Sequence, residues 1–279
     1  MRSITATFAL LALTLCFPTI VDAQSCSFDR LLIREIRKTL ESRPAAGSSS
    51  NELLTVTHQI SNSRLAQGVA LKGRGDGSNN FGFILAFPGN AQTARELLNG
   101  MRTAAGAGFD VFVFDYTNLT GNAPLPRLHE LVSDAKELVS TYIQDDKYKG
   151  KINILYGVST GGIVLAQAVP PNLPGSTRVV LDSVPDRIPT MLWCDSQLNP
   201  SNAVAAMTPQ RGTLLILNGE NDQKVIPANS RTIAELAEKK GGCHTIIQKA
   251  AHPFEPDDNA AVRVGTIVAF AKDQACKAK

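Results

Sequence analysis

Ile152-Asn153-Ile154-Leu155-Tyr156-Gly157-Val158-Ser159-Thr160-Gly161-Gly162-Ile163-Val164-Leu165-Ala166-Gln167-Ala168 carries the sharpest structural signal in the chain. Ile152 to Tyr156 has the length and apolar character of a buried strand, and Ile163 to Ala168 reads as helix. Only a few residues around Ser159 separate the two. A turn that tight forces its central residue into a strained backbone conformation, and glycines two residues to either side remove side chains that would collide there. Gly157-Val158-Ser159-Thr160-Gly161 is therefore a G-x-S-x-G elbow in the strand–turn–helix setting that gives the motif its meaning. Such a turn presents the Ser159 hydroxyl at the top of a sheet. It also aims the Thr160 amide at the same spot, beside a helix N-terminus. The plain alternative is a glycine-rich turn with a passive serine.

The same rhythm extends in both directions. Phe83 to Phe87 and Val111 to Phe114 are apolar runs, followed by helical patterns that reach Ala107 and span Leu128 to Ile143. Downstream, Arg178 to Leu181, Leu214 to Leu217 and His244 to Gln248 read as strands. Ser230 to Lys239 and Ala260 to Ala275 read as helices. Strands that are apolar throughout are buried on both faces, and their alternation with helices predicts a mostly parallel sheet covered on each side. Before this region, Leu53 to Ile60 and Leu65 to Leu71 alternate as two strands around the turn-like Ser61-Asn62-Ser63. Ser27 to Ser42 is an amphipathic helical pattern, and Pro44 to Ser50 is a connector. No repeat, low-complexity tract or long linker divides the chain, so residues 24–279 are read as one domain.

The chain has 279 residues, 43% hydrophobic and 19% charged, with a formal net charge of +3. That is enough to bury a core without metals or partners. With no block of like charge it carries no footprint for nucleic acid, and none for membrane binding through charge. Arg2, the apolar run Ile4 to Leu15, and Val21-Asp22-Ala23 have the form of a secretory signal cleaved after Ala23. An uncleaved anchor is disfavoured because the run is short and Pro18 and Asp22 interrupt it. Lipid attachment at Cys16 is disfavoured by the bulky Leu15 before it. The expected location is thus secreted or periplasmic, without stable membrane insertion.

Cleavage would leave Cys26, Cys194, Cys243 and Cys276, an even number that suggests disulfides, with three pairings open. If Cys243 opens the last strand and Cys276 closes the last helix, both lie at one end of the sheet. The two elements have similar lengths, at about 3.3 Å per strand residue and about 1.5 Å per helical residue. Cys243–Cys276 is the favoured bridge, leaving Cys26–Cys194. Four free thiols are the alternative.

A serine hydroxyl is a weak nucleophile at neutral pH and needs a base. Of the four histidines, His58 precedes the parallel sheet, His129 opens a helix and His244 lies within a strand. His252, in Ala250-Ala251-His252-Pro253-Phe254, follows the last strand in a loop at the same sheet edge as the elbow. A base needs an orienting carboxylate. Asp222, in Asn218-Gly219-Glu220-Asn221-Asp222, follows the strand before the histidine strand, with Glu220 and Asp182 as competitors. Acyl transfer also needs amides for the developing oxyanion. Thr160 supplies one, and Asn90 in Phe87-Pro88-Gly89-Asn90-Ala91 is the candidate for the second. Asn90 could instead, or in addition, cap the following helix.

Together, Phe87-Pro88-Gly89-Asn90-Ala91, the Ser159 elbow, Gly219 with Asp222 and Pro227, and His252 resemble the α/β-hydrolase superfamily. With Phe109 to Tyr116 included, they are similar to its small esterase- and acylhydrolase-like members. The chain order Ser159, Asp222, His252 is the order expected of that fold. The resemblance implies an α/β-hydrolase fold: a mostly parallel eight-stranded sheet flanked by helices, with the first strands antiparallel. It also implies no cofactor. Two departures stand out. Pro88 occupies a place where the family often has His, and Tyr116-Thr117 follows Asp115 where the family often has Arg-Gly. Asn118-Leu119-Thr120 has the form of a glycosylation acceptor.

Lids in this superfamily usually enter between the strands ending near Asp182 and starting near Thr213. That stretch has only about thirty residues here, so the lid is expected to be short or absent. Met191, Leu192 and Trp193 within it are candidates for an apolar substrate wall, or simply pack on the sheet. The expected function is a secreted serine hydrolase acting on a small-molecule or lipid-like carboxylic ester. A peptidase or acyltransferase would use the same residues, and a non-catalytic binding protein on this scaffold is the reading from another class. The residues carry no signal for an oligomeric state.

Overall fold

The computed structural model describes residues 34, 37, 53–61, 64–74, 80–90, 92–117, 126–188, 198–255 and 258–273. Its strands are β1 (Leu54–Ser61), β2 (Arg64–Leu71), β3 (Gly82–Phe87), β4 (Phe109–Phe114), β5 (Ile152–Val158), β6 (Thr177–Asp182), β7 (Leu214–Gly219) and β8 (Cys243–Ile247). Its helices are α1 (Ala94–Gly100), α2 (Arg102–Gly106), α3 (Leu128–Gln144), α4 (Thr160–Ala168), α5 (Pro200–Ala206), α6 (Arg231–Lys239) and α7 (Ala260–Asp273). Buried backbone groups must be paired, and the apolar runs satisfy this by forming one open sheet in the order β1-β2-β4-β3-β5-β6-β7-β8. β1 pairs antiparallel with β2, and β2 with β4; the rest of the sheet is parallel.

Side chains alternate across a strand, so each central strand feeds two cores. Phe83, Leu85, Leu155, Leu181 and Ile216 pack on one face with Leu131, Leu138, Val164 and Ile233 from α3, α4 and α6. Ile84, Ala86, Ile154, Val180 and Leu215 pack on the other with Leu97, Leu98, Ala104, Val264 and Ile267 from α1, α2 and α7. The strand at the edge of the sheet, β8, is only partly buried. Parallel pairing brings the C-terminal ends of β3, β5, β6, β7 and β8 to one edge. Ligands of open α/β sheets bind at this edge.

Three elements differ from the sequence reading. The helix expected to run to Ala107 is broken at Met101, whose amide donates to the Leu97 and Leu98 carbonyls at 3.1 and 3.0 Å. The break lets Leu97 and Leu98 and also Ala104 and Ala105 be buried on the same sheet face. β5 continues to Val158, so no loop separates strand from elbow. Helix α5 carries Pro at its first turn and has too few large apolar residues to show a period. The expected N-terminal helix lies almost wholly outside the described residues, as do Cys26, Cys194 and Cys276. Among the described residues, no helix is long and apolar enough to cross a membrane.

Candidate active site

Ser159 has φ 49° and ψ −117°, directly between the last residue of β5 and the first of α4. Its N–H donates to the Asp182 carbonyl at 2.8 Å, carrying the β5–β6 pairing into the turn. Gly162 and Ile163 donate to the Ser159 carbonyl at 2.9 and 3.1 Å and start the helix. The Thr160 amide, as the first of α4, has no intrahelical acceptor. The glycines are required sterically. A Cβ on Gly157 would lie 2.6 Å from Gly162 Cα, and one on Gly161 would lie 2.2 Å from the Phe87 carbonyl oxygen and 2.5 Å from that of Pro88.

Both atoms that Gly161 would strike are backbone atoms, so little can yield. Gly161→Ala is therefore expected to destabilise the fold by about 1–3 kcal/mol, as overpacking does, and to push the Pro88 loop off the elbow. Urea unfolding measures the first effect. A variant as stable as the parent protein would contradict the packing described here.

The loop after β3 lies against the elbow: a Cβ on Gly89 would sit 3.5 Å from Ser159 Cβ. Side chains hold this loop in place. The Gly89 amide donates to Gln92 Oε1 at 3.1 Å, and the Tyr116 hydroxyl donates to the Pro88 carbonyl at 2.9 Å. Tyr116 belongs to the segment that departs from the family pattern, and neither it nor Gln92 is flagged by any local motif. Asn90 is exposed and does not cap the helix. Thr93 does, with its hydroxyl accepting from Glu96 N–H at 3.2 Å and its own amide donating to the Glu96 carboxylate at 2.8 Å.

At the same edge, His252 Nδ1 lies 2.8 Å from Asp222 Oδ2, with both side chains buried. The other carboxylate oxygen of Asp222 accepts the Lys224 and Val225 amides at 2.8 and 2.9 Å. Burial alone would raise the Asp222 pKa. The hydrogen bonds from His252 and the Val225 amide outweigh it and hold the carboxyl below its ordinary value. Gly219 lets the acid and histidine loops approach, since a Cβ there would come within 2.4 Å of the Ala251 carbonyl oxygen. Asn221 N–H donates to the Ala250 carbonyl at 2.9 Å and joins the two loops.

The competing carboxylates have other partners. Glu220 accepts the Lys249 amide at 2.8 Å. Asp182 accepts the Tyr156 hydroxyl at 2.7 Å and pairs with Arg263 at 2.5 Å. Burial pushes Asp182 up to about 6, against the opposing influence of Arg263. Of the other histidines, His58 lies 3.4 Å from the Thr141 hydroxyl and His244 lies 3.2 Å from Asn218 Oδ1, while His129 is exposed on α3. Met191, Leu192, Trp193 and the Asn118-Leu119-Thr120 acceptor lie outside the described residues. Among the described residues, no group of three or more His, Cys, Asp or Glu could hold a metal ion.

The arrangement is that of a strained, half-buried serine, a helix start and a buried imidazole–carboxylate pair at one sheet edge. No family model matches the sequence, and no curated protein matches it. Solved structures do resemble it. The esterase domain of a Rhodothermus marinus protein is 17% identical, with 79% of this chain and 98% of that one covered, at a TM-score of 0.58. Est1E from Butyrivibrio proteoclasticus is 12% identical, with 79% and 98% covered, at a TM-score of 0.62. The Pyrococcus furiosus esterase Pf2001 is 14% identical, with 83% and 97% covered, at a TM-score of 0.60. At these identities the likeness shows the fold alone, and it agrees with the strand order: the chain has the α/β-hydrolase fold.

Proposed function

We propose that the protein is a secreted or periplasmic serine hydrolase that cleaves carboxylic esters. One observation carries the reading: Ser159 is held at φ 49° on the sheet edge that also bears the 2.8 Å His252–Asp222 pair. Asp222 engages Nδ1, which leaves Nε2 as the imidazole nitrogen free to serve as base. Ser159 Oγ attacks the ester carbonyl while His252 Nε2 takes its proton. The carbonyl π electrons move to oxygen, where the Thr160 and Asn90 amides stabilise the anion. The Gly89 amide is committed to Gln92, so the next amide, that of Asn90, takes this role. Collapse expels the alcohol, which receives the proton from His252. Water, deprotonated by the same nitrogen, then releases the acid.

The structural neighbours named above as esterases favour ester over amide substrates. Residues 1–23 serve as the export signal, Met191, Leu192 and Trp193 line the acyl side, and Cys243–Cys276 and Cys26–Cys194 are the bridges of the exported protein. Fluorophosphonate labelling of the secreted protein, read by intact mass and peptide mapping, tests the whole reading. A single adduct on Ser159, a chain beginning at Gln24 and loss of the thiol hydrogens are expected, together with turnover in a panel of esters of graded acyl length. Labelling without ester turnover would redirect the assignment to a peptidase or acyltransferase. A folded protein that neither labels nor turns over would make it a binding protein.

A further inference from the structure

Behind the His252 loop, one guanidinium and two carboxylates are buried together. Arg263 on α7, Asp182 at the end of β6 and Asp258 all have fully buried side chains. Arg263 Nη1 donates to Asp182 at 2.5 Å, and Nε and Nη2 donate to Asp258 at 2.8–3.1 Å. Nη2 also donates to the Ala251 carbonyl at 3.0 Å. Asp258 in turn accepts the Phe254 amide at 2.9 Å. The arginine thus grips the loop on both sides of His252, directly at Ala251 and through Asp258 at Phe254, which is held at φ 62°.

The other end of the grip reaches the nucleophile. The backbone carbonyl of Asp182 accepts the Ser159 amide at 2.8 Å, while its side chain pairs with Arg263. The Tyr156 hydroxyl, from the strand leading to the elbow, donates to the second Asp182 oxygen at 2.7 Å. Next in the chain, Ser183, at φ 51° and fully buried, has its hydroxyl 3.5 Å from Asp182 Oδ1. The contacts form a continuous chain from Ser159 through Asp182 and Arg263 to Ala251, the residue before His252. Packing alone does not call for it. Apolar residues of similar volume usually serve stability as well as a buried ion cluster does, and Val264 and Ile267 beside Arg263 are apolar. A planar guanidinium adds direction, because its donors have fixed geometry.

The geometry points to Arg263 as a positioning residue that, through Asp182 and Asp258, fixes the His252 loop relative to Ser159. This rests on the proposed triad. Lysine keeps the charge but presents a single nitrogen, which cannot span Asp182, Asp258 and Ala251 together. A displacement of about 1 Å at a reacting group costs about 10²-fold in rate. Arg263→Lys is therefore expected to lower kcat about 10²-fold with KM nearly unchanged, counted per fluorophosphonate-titrated site.

It is also expected to shift or broaden the far-downfield proton resonance of the His252–Asp222 hydrogen bond, which reports geometry whether or not an ester is turned over. If the parent protein is inert toward esters, the function reading fails while this resonance still decides the inference. Asp258→Asn, a near-isosteric change, gives the same two readouts should Arg263→Lys not fold. A folded variant with lower thermal stability, but with parental kcat per site and an unmoved resonance, would reduce the cluster to a structural element and overturn the inference.

Discussion

Ser159→Ala is expected to lower kcat for ester hydrolysis about 10⁴- to 10⁶-fold, the range in which loss of an activated nucleophile falls. The fold should survive. The Ser159 hydroxyl makes no capping bond to α4, so its removal frees no helix amide. The strained φ of 49° is imposed by the backbone bonds to Asp182, Gly162 and Ile163, which do not involve the side chain. Alanine places its Cβ where serine does and creates no new contact. What disappears is the one atom that forms the acyl bond. Residual turnover would come from the oxyanion amides and an adventitious water. The check is kcat of the variant on the best ester of the panel, beside its urea unfolding curve. A folded variant with more than about a hundredth of parental activity would exclude Ser159 as nucleophile, since loss of an activated nucleophile costs far more than that.

Asp222→Asn should lower kcat about 10⁴-fold, and the hydrogen-bond geometry gives the reason. One carboxylate oxygen accepts two backbone amides, from Lys224 and Val225. In asparagine the carbonyl oxygen must take that position, because an NH2 group there would face two donors. The NH2 then points at His252 Nδ1, which must become an acceptor. The imidazole proton moves to Nε2, the nitrogen that has to accept from Ser159, so the base is blocked without being displaced.

The same substitution changes stability in acid. The native Asp222 carboxyl lies below its ordinary value, so it stabilises the folded protein above the unfolded-state pKa. That contribution is lost as pH falls toward the folded one. The asparagine variant should lack this component of acid destabilisation. Glu220→Gln, whose partner is the Lys249 amide at the surface, should leave kcat within about 3-fold, as surface substitutions away from special features usually do little. Comparable losses in the Asp222 and Glu220 variants would contradict the assignment of the acid.

The elbow and the sheet that carries it were legible in the amino-acid sequence alone. Gly157 is needed because the turn that follows it crowds it, and apolar runs of strand length have nowhere to go but a sheet buried on both faces. Gly161 fits the same motif, although the atoms that crowd it belong to Phe87 and Pro88. The place of His252 at the sheet edge was legible because parallel topology sends every strand-following loop to one edge, and the other histidines lie within strands or helices. Which carboxylate pairs with His252 depends on the folded loops. Asp182, Glu220 and Asp222 all follow strands at that edge. Only the turn of Asp222 around the Lys224 and Val225 amides aims a carboxylate oxygen at Nδ1.

Gln92 and Tyr116 were not legible, since their roles depend on where the Pro88 loop comes to rest. Nor was Arg263, which in the sequence is one charged residue in an ordinary helical pattern. Its burial depends on Asp182, 81 residues away in the chain. No local rule couples residues at that separation. The folded backbone brings them together, and the loss of water then makes their hydrogen bonds obligatory.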